Sequence, residues 1–149
     1  MVALVKFASI FLLGLVSGVS FSHLLQRGPK KTLPAAHFLA VQQVLLRNYG
    51  PAVGALEVAS FVSTLVMAIV TRQEHLVCFL AALASACVLI MVTIWAVWIN
   101  PINRTVNSWT PETVPSNWAD LRDRWHSLHT IRLLLSAVAF GAVIWGFLA

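Results

Sequence analysis

One face of the segment from residue 117 to residue 135 carries side chains that can transfer protons or hold charge. In NWADLRDRWHSLHTIRLLL, the intervals between Trp118, Arg122, Trp125, His129 and Arg132 are four, three, four and three residues. On a continuous helix, this spacing puts all five side chains in a single stripe. Imidazole exchanges a proton near neutral pH, and guanidinium keeps a fixed positive charge. Anchoring at a membrane surface needs no such alignment, so the stripe favours a lined pocket over separate anchoring residues.

The composition predicts that this stripe belongs to a membrane protein. The chain has 149 residues, of which 59% are hydrophobic and 10% are charged, and its mean hydropathy is +0.84. A soluble domain carries about a quarter charged residues. Four apolar stretches approach the roughly 20 residues that cross a bilayer, namely residues 2–25, 50–71, 75–99 and 131–149. We therefore predict an all-α fold, with one four-helix membrane bundle covering residues 1–149.

Details at the helix ends follow from local patterns. The first stretch has the small residues of a secretory signal, but its apolar part is longer than a signal core, so we expect it to remain as a span. Phe38, Val41, Leu45 and Tyr49 form one apolar stripe, which predicts a short amphipathic helix in the first loop. This helix is either a plain surface helix or a lid over a cavity. Pro101 is expected to end the third helix, and the last helix is expected to begin in the cytosol, before its span.

The positive charges predict the orientation in the membrane. Eight of the ten Lys and Arg residues lie in the first loop or between the third and fourth spans: Arg27, Lys30, Lys31, Arg47, Arg104, Arg122, Arg124 and Arg132. Because a Lys and Arg excess marks the cytoplasmic side, we expect loops one and three in the cytosol and both termini on the other side. The basic character thus indicates orientation, and no nucleic-acid partner is expected.

Sequence motifs add little chemistry beyond the stripe. Cys78 and Cys87 are nine residues apart, so they lie on opposite faces of one predicted helix and cannot pair with each other. There is no zinc-ligand spacing, thioredoxin-like pair, glycine-rich phosphate loop or internal repeat. Asn103-Arg104-Thr105 has the form of a glycosylation sequon. It is expected to stay unmodified, because it lies in a loop that the charges assign to the cytosol.

Polar side chains from every span or its edge are predicted to meet at the cytosolic end of the bundle. His23 ends the first span, and Glu57 is the only acidic residue inside a predicted span. Ionisable residues within a membrane usually face the bundle interior and mark function. The predicted cluster contains His23, Glu57, Asn100, Asn103, Arg122, His129 and Arg132, with Trp109, Trp118 and Trp125 as flat apolar walls.

Three motifs resemble the anthrone oxygenase-like family of small four-span membrane proteins. They are SHLLQRGPKKTLP, NPINRTVNSW and the pattern W-x3-R-x-RW-x3-H-x2-R that leads into the last span. The resemblance covers nearly the whole chain, and the C-terminal pattern is its most specific part. For the fungal members with an assigned role, the resemblance implies oxidation of polyketide anthrones to anthraquinones with molecular oxygen and no established cofactor. Most bacterial members have no known activity.

The implied reaction gives the predicted residues their roles. An anthrone is a flat, hydrophobic aromatic tricycle, and its oxidation begins when the carbon opposite the ketone loses a proton to give an enolate that reacts with O2. A histidine suits this proton transfer, and fixed positive charge stabilises the oxyanion. His129 is the expected base, with His23 as the alternate. Arg122 and Arg132 are expected to stabilise the enolate and the phenols, and Glu57 to orient a histidine or accept the proton.

Other interpretations of the same residues stay open. His23, His129 and Glu57 have the composition of a two-histidine, one-carboxylate site for non-haem iron, although no local spacing requires one. A non-enzymatic accessory or structural subunit of a membrane complex would use the same polar residues to join helices. A homo-oligomer also stays open. A transporter is less favoured, because no discontinuous helix or inverted repeat is visible.

Overall fold

Six helical segments form the computed structural model, which describes the backbone of all 149 residues and every side chain except those of Leu46 and Asn48. They are α1 (Val2–Lys31), α2 (Ala35–Val70), α3 (His75–Ile94), a π-helix (Trp95–Ile99), α4 (Asn100–Ser108) and α5 (Trp118–Leu148). The described backbone contains no strand. The prediction of an all-α fold is confirmed.

The helices pack as a ring of four. α1 packs against α2 and α5, and α3 packs against the same two helices, whereas α2 and α5 face each other across a diagonal with little direct contact. Four segments are long and apolar enough to cross a membrane: Val2–Lys31, Tyr49–Val70, His75–Ser108 and Trp118–Leu148. Large apolar side chains such as Phe7, Phe79 and Leu134 point outwards, as expected where lipid replaces water. The chain is a multi-pass membrane protein.

Small side chains hold the interior of the bundle together. Ala81, Ala84 and Val88 of α3 are fully buried in the main apolar cluster. The hydroxyl of Ser85 donates to the hydroxyl of Thr64 at 2.9 Å and so links α3 to α2. Small residues let helix backbones approach closely in lipid, where no hydrophobic force drives helices together. The part of the bundle around these residues is a packed core, and no charged cluster lies there among the described residues.

The third helical rod continues past Pro101, so the prediction that Pro101 ends it is wrong. A π-helix intervenes, and the backbone N–H of Asn100 donates to the carbonyl of Trp95, five residues back. Pro101 then lies in the first turn of α4. Because Pro101 has no backbone N–H, the rod lacks one hydrogen bond to the preceding turn at this point, which directly follows the π-helix. The extra residue in the π-turn also changes which side chains face the interior.

The predicted amphipathic segment is helical, but it is the first part of α2 rather than a separate helix. One residue of the predicted inward-facing stripe is also replaced by its neighbour in the sequence, because Gln42 and not Val41 faces the interior. Val41 is 39% exposed, whereas Gln42 is 2% exposed. The reason is a buried polar pair, in which the ammonium of Lys30 donates to the side-chain oxygen of Gln42 at 2.8 Å.

The last helix runs without interruption from Trp118 to Leu148, which confirms the predicted polar extension of the fourth span. Its polar start lies beside the connection of residues 32–34 and the connection of residues 109–117. Both connections belong to the end of the bundle where eight of the ten Lys and Arg residues are found. This end is called the basic end below.

Candidate functional site

A pocket near the basic end is lined by side chains from all four helical rods. We call it the inner pocket. Its lining residues are His23, Tyr49, Gly50, Val53, Gly54, Glu57, Trp95, Ile99, Asn103, Trp125, His129 and Arg132. Among the residues predicted from sequence, the structure thus brings together His23, Glu57, Asn103, Trp125, His129 and Arg132.

Two histidines from different helices form one wall of the inner pocket. The ring centroids of His23 on α1 and His129 on α5 are 4.1 Å apart. Trp125 lies against both rings, with centroid distances of 4.0 Å to His129 and 5.1 Å to His23. The Tyr49 ring lies 5.7 Å from His23 on the side of α2. The two imidazoles are therefore held by aromatic packing, and both face the same small space.

A buried ion pair forms the opposite wall and crosses the interior of the bundle. The guanidinium of Arg132 on α5 donates to the carboxylate of Glu57 on α2. The two side chains are each 4% exposed. Because α2 and α5 make little other contact, this pair is the main polar link across their diagonal. Charges buried this deeply require each other, since an unpaired charge in a low-dielectric interior is costly.

Several buried polar atoms around the inner pocket have no hydrogen-bond partner among the described residues. They are Nδ1 of His23, Nε2 of His129 and Nε of Arg132. Buried polar atoms in native proteins are nearly always paired with protein, ligand or water. Three side chains that line this cavity thus keep a polar atom available for a ligand or water, although both nitrogens of His126, outside the pocket, also have no partner among the described residues. The two histidines supply proton donors or acceptors there, and Arg132 supplies a positively charged donor.

Trp125 is held in place from two sides. Its indole N–H donates to the side-chain oxygen of Asn103 at 2.8 Å, and the ammonium of Lys30 lies 5.4 Å from the ring centroid. The hydrogen bond leaves the amide NH2 of Asn103 free for another partner. The sequence placed Asn103 and Trp125 in the site, but Lys30 and its partner Gln42 were missed, because polar residues off an apolar stripe are typical of a surface.

A larger cavity, here called the vestibule, adjoins the inner pocket and opens between α2 and α4. The two cavities share Gly50, Gly54, Trp95 and Asn103. The space open to the centre of a water molecule is about 40 Å³ in the inner pocket and about 450 Å³ in the vestibule. A single water needs roughly 10–15 Å³ on this measure. The inner pocket thus has room for a few water-sized molecules, and of these two adjoining cavities the vestibule is the one with room for a ring system.

Four of the predicted site residues do not line the inner pocket: Asn100, Trp109, Trp118 and Arg122. Asn100 lines the vestibule and not the inner pocket. Arg122 bonds the carboxylate of Asp123 at 2.9 Å and lies 4.9 Å above the ring of Trp118. Trp118 in turn packs on Phe38, with a centroid distance of 5.1 Å.

These contacts explain why only part of the stripe on α5 lines the inner pocket. Its first turns meet the start of α2 and the end of α1, where Arg122 also approaches the Lys31 carbonyl. Only the part from Trp125 onwards reaches the interior. Trp109 packs in an apolar cluster with Ile102 and Val106. The prediction that Arg122, Trp109 and Trp118 line the site is therefore corrected, and Trp95 and Trp125 are the aromatic walls.

Trp95 is the most informative residue that the sequence did not place in the site. Its position at the end of an apolar stretch indicated an anchor in the membrane interface. The π-helix that begins at Trp95 changes the helical register, and a 3.6-residue period contains no signal of such a change. The alignment of Gly50, Gly54 and Glu57 on one face of α2 was visible in the sequence, and all three residues line the inner pocket.

The arrangement does not fit the alternative iron site. Among the described residues, no three His, Cys, Asp or Glu side chains are placed to hold one metal ion. The carboxylate of Glu57 is engaged by Arg132, which competes with coordination of a cation. The residues present thus favour proton transfer and oxyanion binding.

Comparison of the chain with protein-family models, with curated proteins and with solved structures finds no match.

Proposed function

We propose that this protein is a membrane oxygenase that oxidises a flat, polycyclic phenolic substrate of the anthrone type to the corresponding quinone, using O2. One observation carries the proposal: two histidines and a buried arginine, each with a nitrogen that has no partner among the described residues, face one small pocket beside a larger cavity. The motif resemblance points to the same chemistry. Both the reaction and the family assignment are proposals.

The sizes of the two cavities suggest how a substrate would bind. A tricyclic ring system is too large for the inner pocket, so its body would lie in the vestibule against Trp95. Only the edge with the reacting carbon would reach the inner pocket, which also has room for O2 or water. Aromatic walls suit such a ring system, since flat rings stack on them favourably.

In this mechanism His129 removes a proton from the carbon opposite the ketone. His129 lines the inner pocket, and its Nε2 has no hydrogen-bond partner among the described residues, so this nitrogen is available to accept a proton. The negative charge is shared between this carbon and the ketone oxygen, and the positive charge of Arg132, which lines the inner pocket, stabilises it. His23, whose ring lies 4.1 Å from that of His129, accepts or returns the proton.

The overall reaction balances without an added reductant. The enolate carbon bonds to one oxygen atom of O2 and, after uptake of a proton, carries a hydroperoxide. Loss of the second proton from the same carbon breaks the O–O bond, forms the new C=O group and releases the other oxygen atom as water. One anthrone and one O2 thus give one anthraquinone and one water.

This stoichiometry gives the first test. Membranes that contain the protein should consume one O2 for each anthrone oxidised, and 18O2 should place one labelled atom in the quinone. The rate should stay unchanged after chelation, because the proposed steps use only side chains of this chain. Anthrones also oxidise slowly without enzyme, so membranes lacking the protein give the background. A rate no higher than that background, or a need for NADH, would contradict the proposal.

An accessory-subunit role predicts a different outcome. In that case the protein would show no turnover, and substitutions at the inner pocket would reduce assembly rather than a rate. The inner pocket and the vestibule beside it favour the enzyme, because residues that only join helices need no adjoining space for a ligand.

We further propose that the basic end faces the cytosol, as the Lys and Arg distribution indicates. The membrane would be a bacterial inner membrane or a fungal endoplasmic reticulum. A cysteine introduced by Ser116→Cys, in the α4–α5 connection, should then react with a membrane-impermeant maleimide only after the cytosolic side is opened. The sequon at Asn103 should carry no glycan in a eukaryotic host. Glycosylation there would reverse the orientation.

A further inference from the structure

The vestibule has two chemically different sides. Gly50, Pro51 and Gly54 of α2 and the ring of Trp95 form an apolar side. The other side is one face of α4 and carries Asn100, Asn103, Arg104 and Asn107. These amides and this guanidinium recur at helical spacing, so they line the cavity along its length. A ligand that fills the vestibule would thus meet apolar surface on one side and hydrogen-bond donors on the other.

Arg104 is the one charged side chain among the described residues that line the vestibule. It forms no ion pair with any described carboxylate, whereas Arg122 and Arg132 both do. The amide NH2 of Asn103 also has no partner among the described residues, because Trp125 uses only the amide oxygen. The polar side of the vestibule therefore offers a cation and amide donors without a matching anion.

We propose that the vestibule selects substrates whose outer edge carries an anionic oxygen group, a carboxylate or an ionised phenol, which Arg104 binds. The guanidinium would hold this group at the mouth while the opposite edge of the ring system reaches the inner pocket. Arg104 is then a specificity-determining residue that acts at the far end of the substrate from the reacting carbon. The inference rests on the proposed function for the reaction, and it adds the chemical class of the substrate.

Gly54 sets the size of the passage between the two cavities. It lines both of them, and a Cβ added at Gly54 would meet no atom within 4 Å. A side chain at this position would therefore begin in open space where the two cavities adjoin. Gly18 of α1 is a matched control, since its Cβ would also meet nothing within 4 Å and it lines neither cavity.

The same guanidinium chemistry also suits a lipid phosphate at the membrane surface. The geometry favours a substrate, because Asn103, next to the exposed Arg104, lines both the vestibule and the inner pocket that holds the histidine pair. A phosphate bound at the surface would use Arg104 but would need neither the passage at Gly54 nor the ring of Trp95. The two sources of the anion are therefore separated by the experiment below.

The experiment compares two product-like probes, anthraquinone-2-carboxylate and the neutral anthraquinone-2-carboxamide. The full-length protein is placed in phosphatidylcholine nanodiscs, and binding is followed by quenching of tryptophan emission, which needs no turnover. The carboxylate should bind about tenfold tighter than the carboxamide, as one charge-assisted hydrogen bond allows. Arg104→Gln should abolish this preference. Arg124→Gln, which changes an exposed arginine outside both cavities, should retain it.

Gly54→Leu should weaken binding of both probes by about tenfold or more, since the added side chain fills the passage, whereas Gly18→Leu should bind both like the unmodified protein. Equal affinity for the two probes, or a preference that survives Arg104→Gln, would overturn the inference. If the two probes bind equally well, and if phosphatidylglycerol weakens probe binding in the unmodified protein but not in Arg104→Gln, then Arg104 binds a lipid phosphate and not a substrate. If the probes bind as expected but no anthrone is oxidised, the proposed reaction fails while the binding inference stands.

Discussion

Replacing His129 with glutamine is expected to lower the rate of anthrone oxidation by about 10²- to 10⁴-fold, the usual contribution of a general base. Glutamine keeps hydrogen-bonding ability and similar bulk but cannot take up a proton. Because the pocket wall is aromatic packing around the ring, with Trp125 at 4.0 Å, the protein should still fold and insert. The measurement is initial O2 uptake per mole of protein in membranes, with the protein quantified separately.

His126 provides the matched control on the same helix. It is 1% exposed, even more buried than His129 at 6%, and it packs edge-on against Trp125 at 5.0 Å. It does not line the inner pocket. His126→Gln should therefore disturb packing as much as His129→Gln but leave the rate per folded molecule nearly unchanged. If both substitutions reduce only the amount of protein, the histidines are structural and His129 is not the base.

His23 tests whether the two histidines act together. If His23 relays the proton, His23→Gln should lower the rate as well, and the double substitution should cost little more than His129→Gln alone. Residues that act as a unit show such non-additive losses. Independent roles would instead give multiplied losses.

The sequence was most informative where one physical rule dominates. Hydrocarbon requires long apolar helices, so the four spans follow from hydropathy. An ionisable residue inside a span usually faces the interior, which was enough to assign Glu57 to the site. Arg132, at the start of its span, was assigned by its place in the stripe on the last helix. In both cases the environment penalises every alternative arrangement, and the pattern of residue types is sufficient.

The sequence was least informative where contacts with distant segments determine which way a side chain faces. The stripe on α5 is continuous, but Arg122 and Trp118 meet Asp123 and Phe38 rather than the pocket. The spacing along α5 is compatible with Arg122 and Trp118 either lining the pocket or packing outside it. Which of the two occurs depends on where the start of α2 lies. Trp95 was missed for a related reason, since the π-helix changes register in a way that no periodicity reveals.

The buried Lys30–Gln42 pair shows a third limit. From the sequence, Lys30 was counted only among the charges of the first loop and Gln42 was given no role, because polar residues are usually exposed. The structure buries them together at 2.8 Å, under the Trp125 ring. Such a pair is recognisable only after α1 and α2 have been placed side by side, since each residue alone would be too costly to bury.

Breaking the ion pair between Glu57 and Arg132 is expected to have the largest effect on stability. Glu57→Leu leaves a buried guanidinium without its counter-ion, and Arg132→Met leaves a buried carboxylate. Each single substitution should destabilise the folded protein by about 3–5 kcal/mol. The measurement is the apparent melting temperature and the folded yield in detergent. As a control, Glu74→Gln breaks the Lys6–Glu74 pair, whose carboxylate is 53% exposed, and should cost at most about 1 kcal/mol.

The double variant, Glu57→Leu with Arg132→Met, separates the structural role of this pair from its role in the reaction. Two apolar side chains then face each other and no buried charge is left, so most of the lost stability should return. The rate should not return, because the oxyanion that forms on the substrate has lost the guanidinium. A double variant that is both stable and active would show that the pair only joins α2 to α5. A double variant that is stable and inactive would show that the ion pair is needed for the reaction and not for the fold.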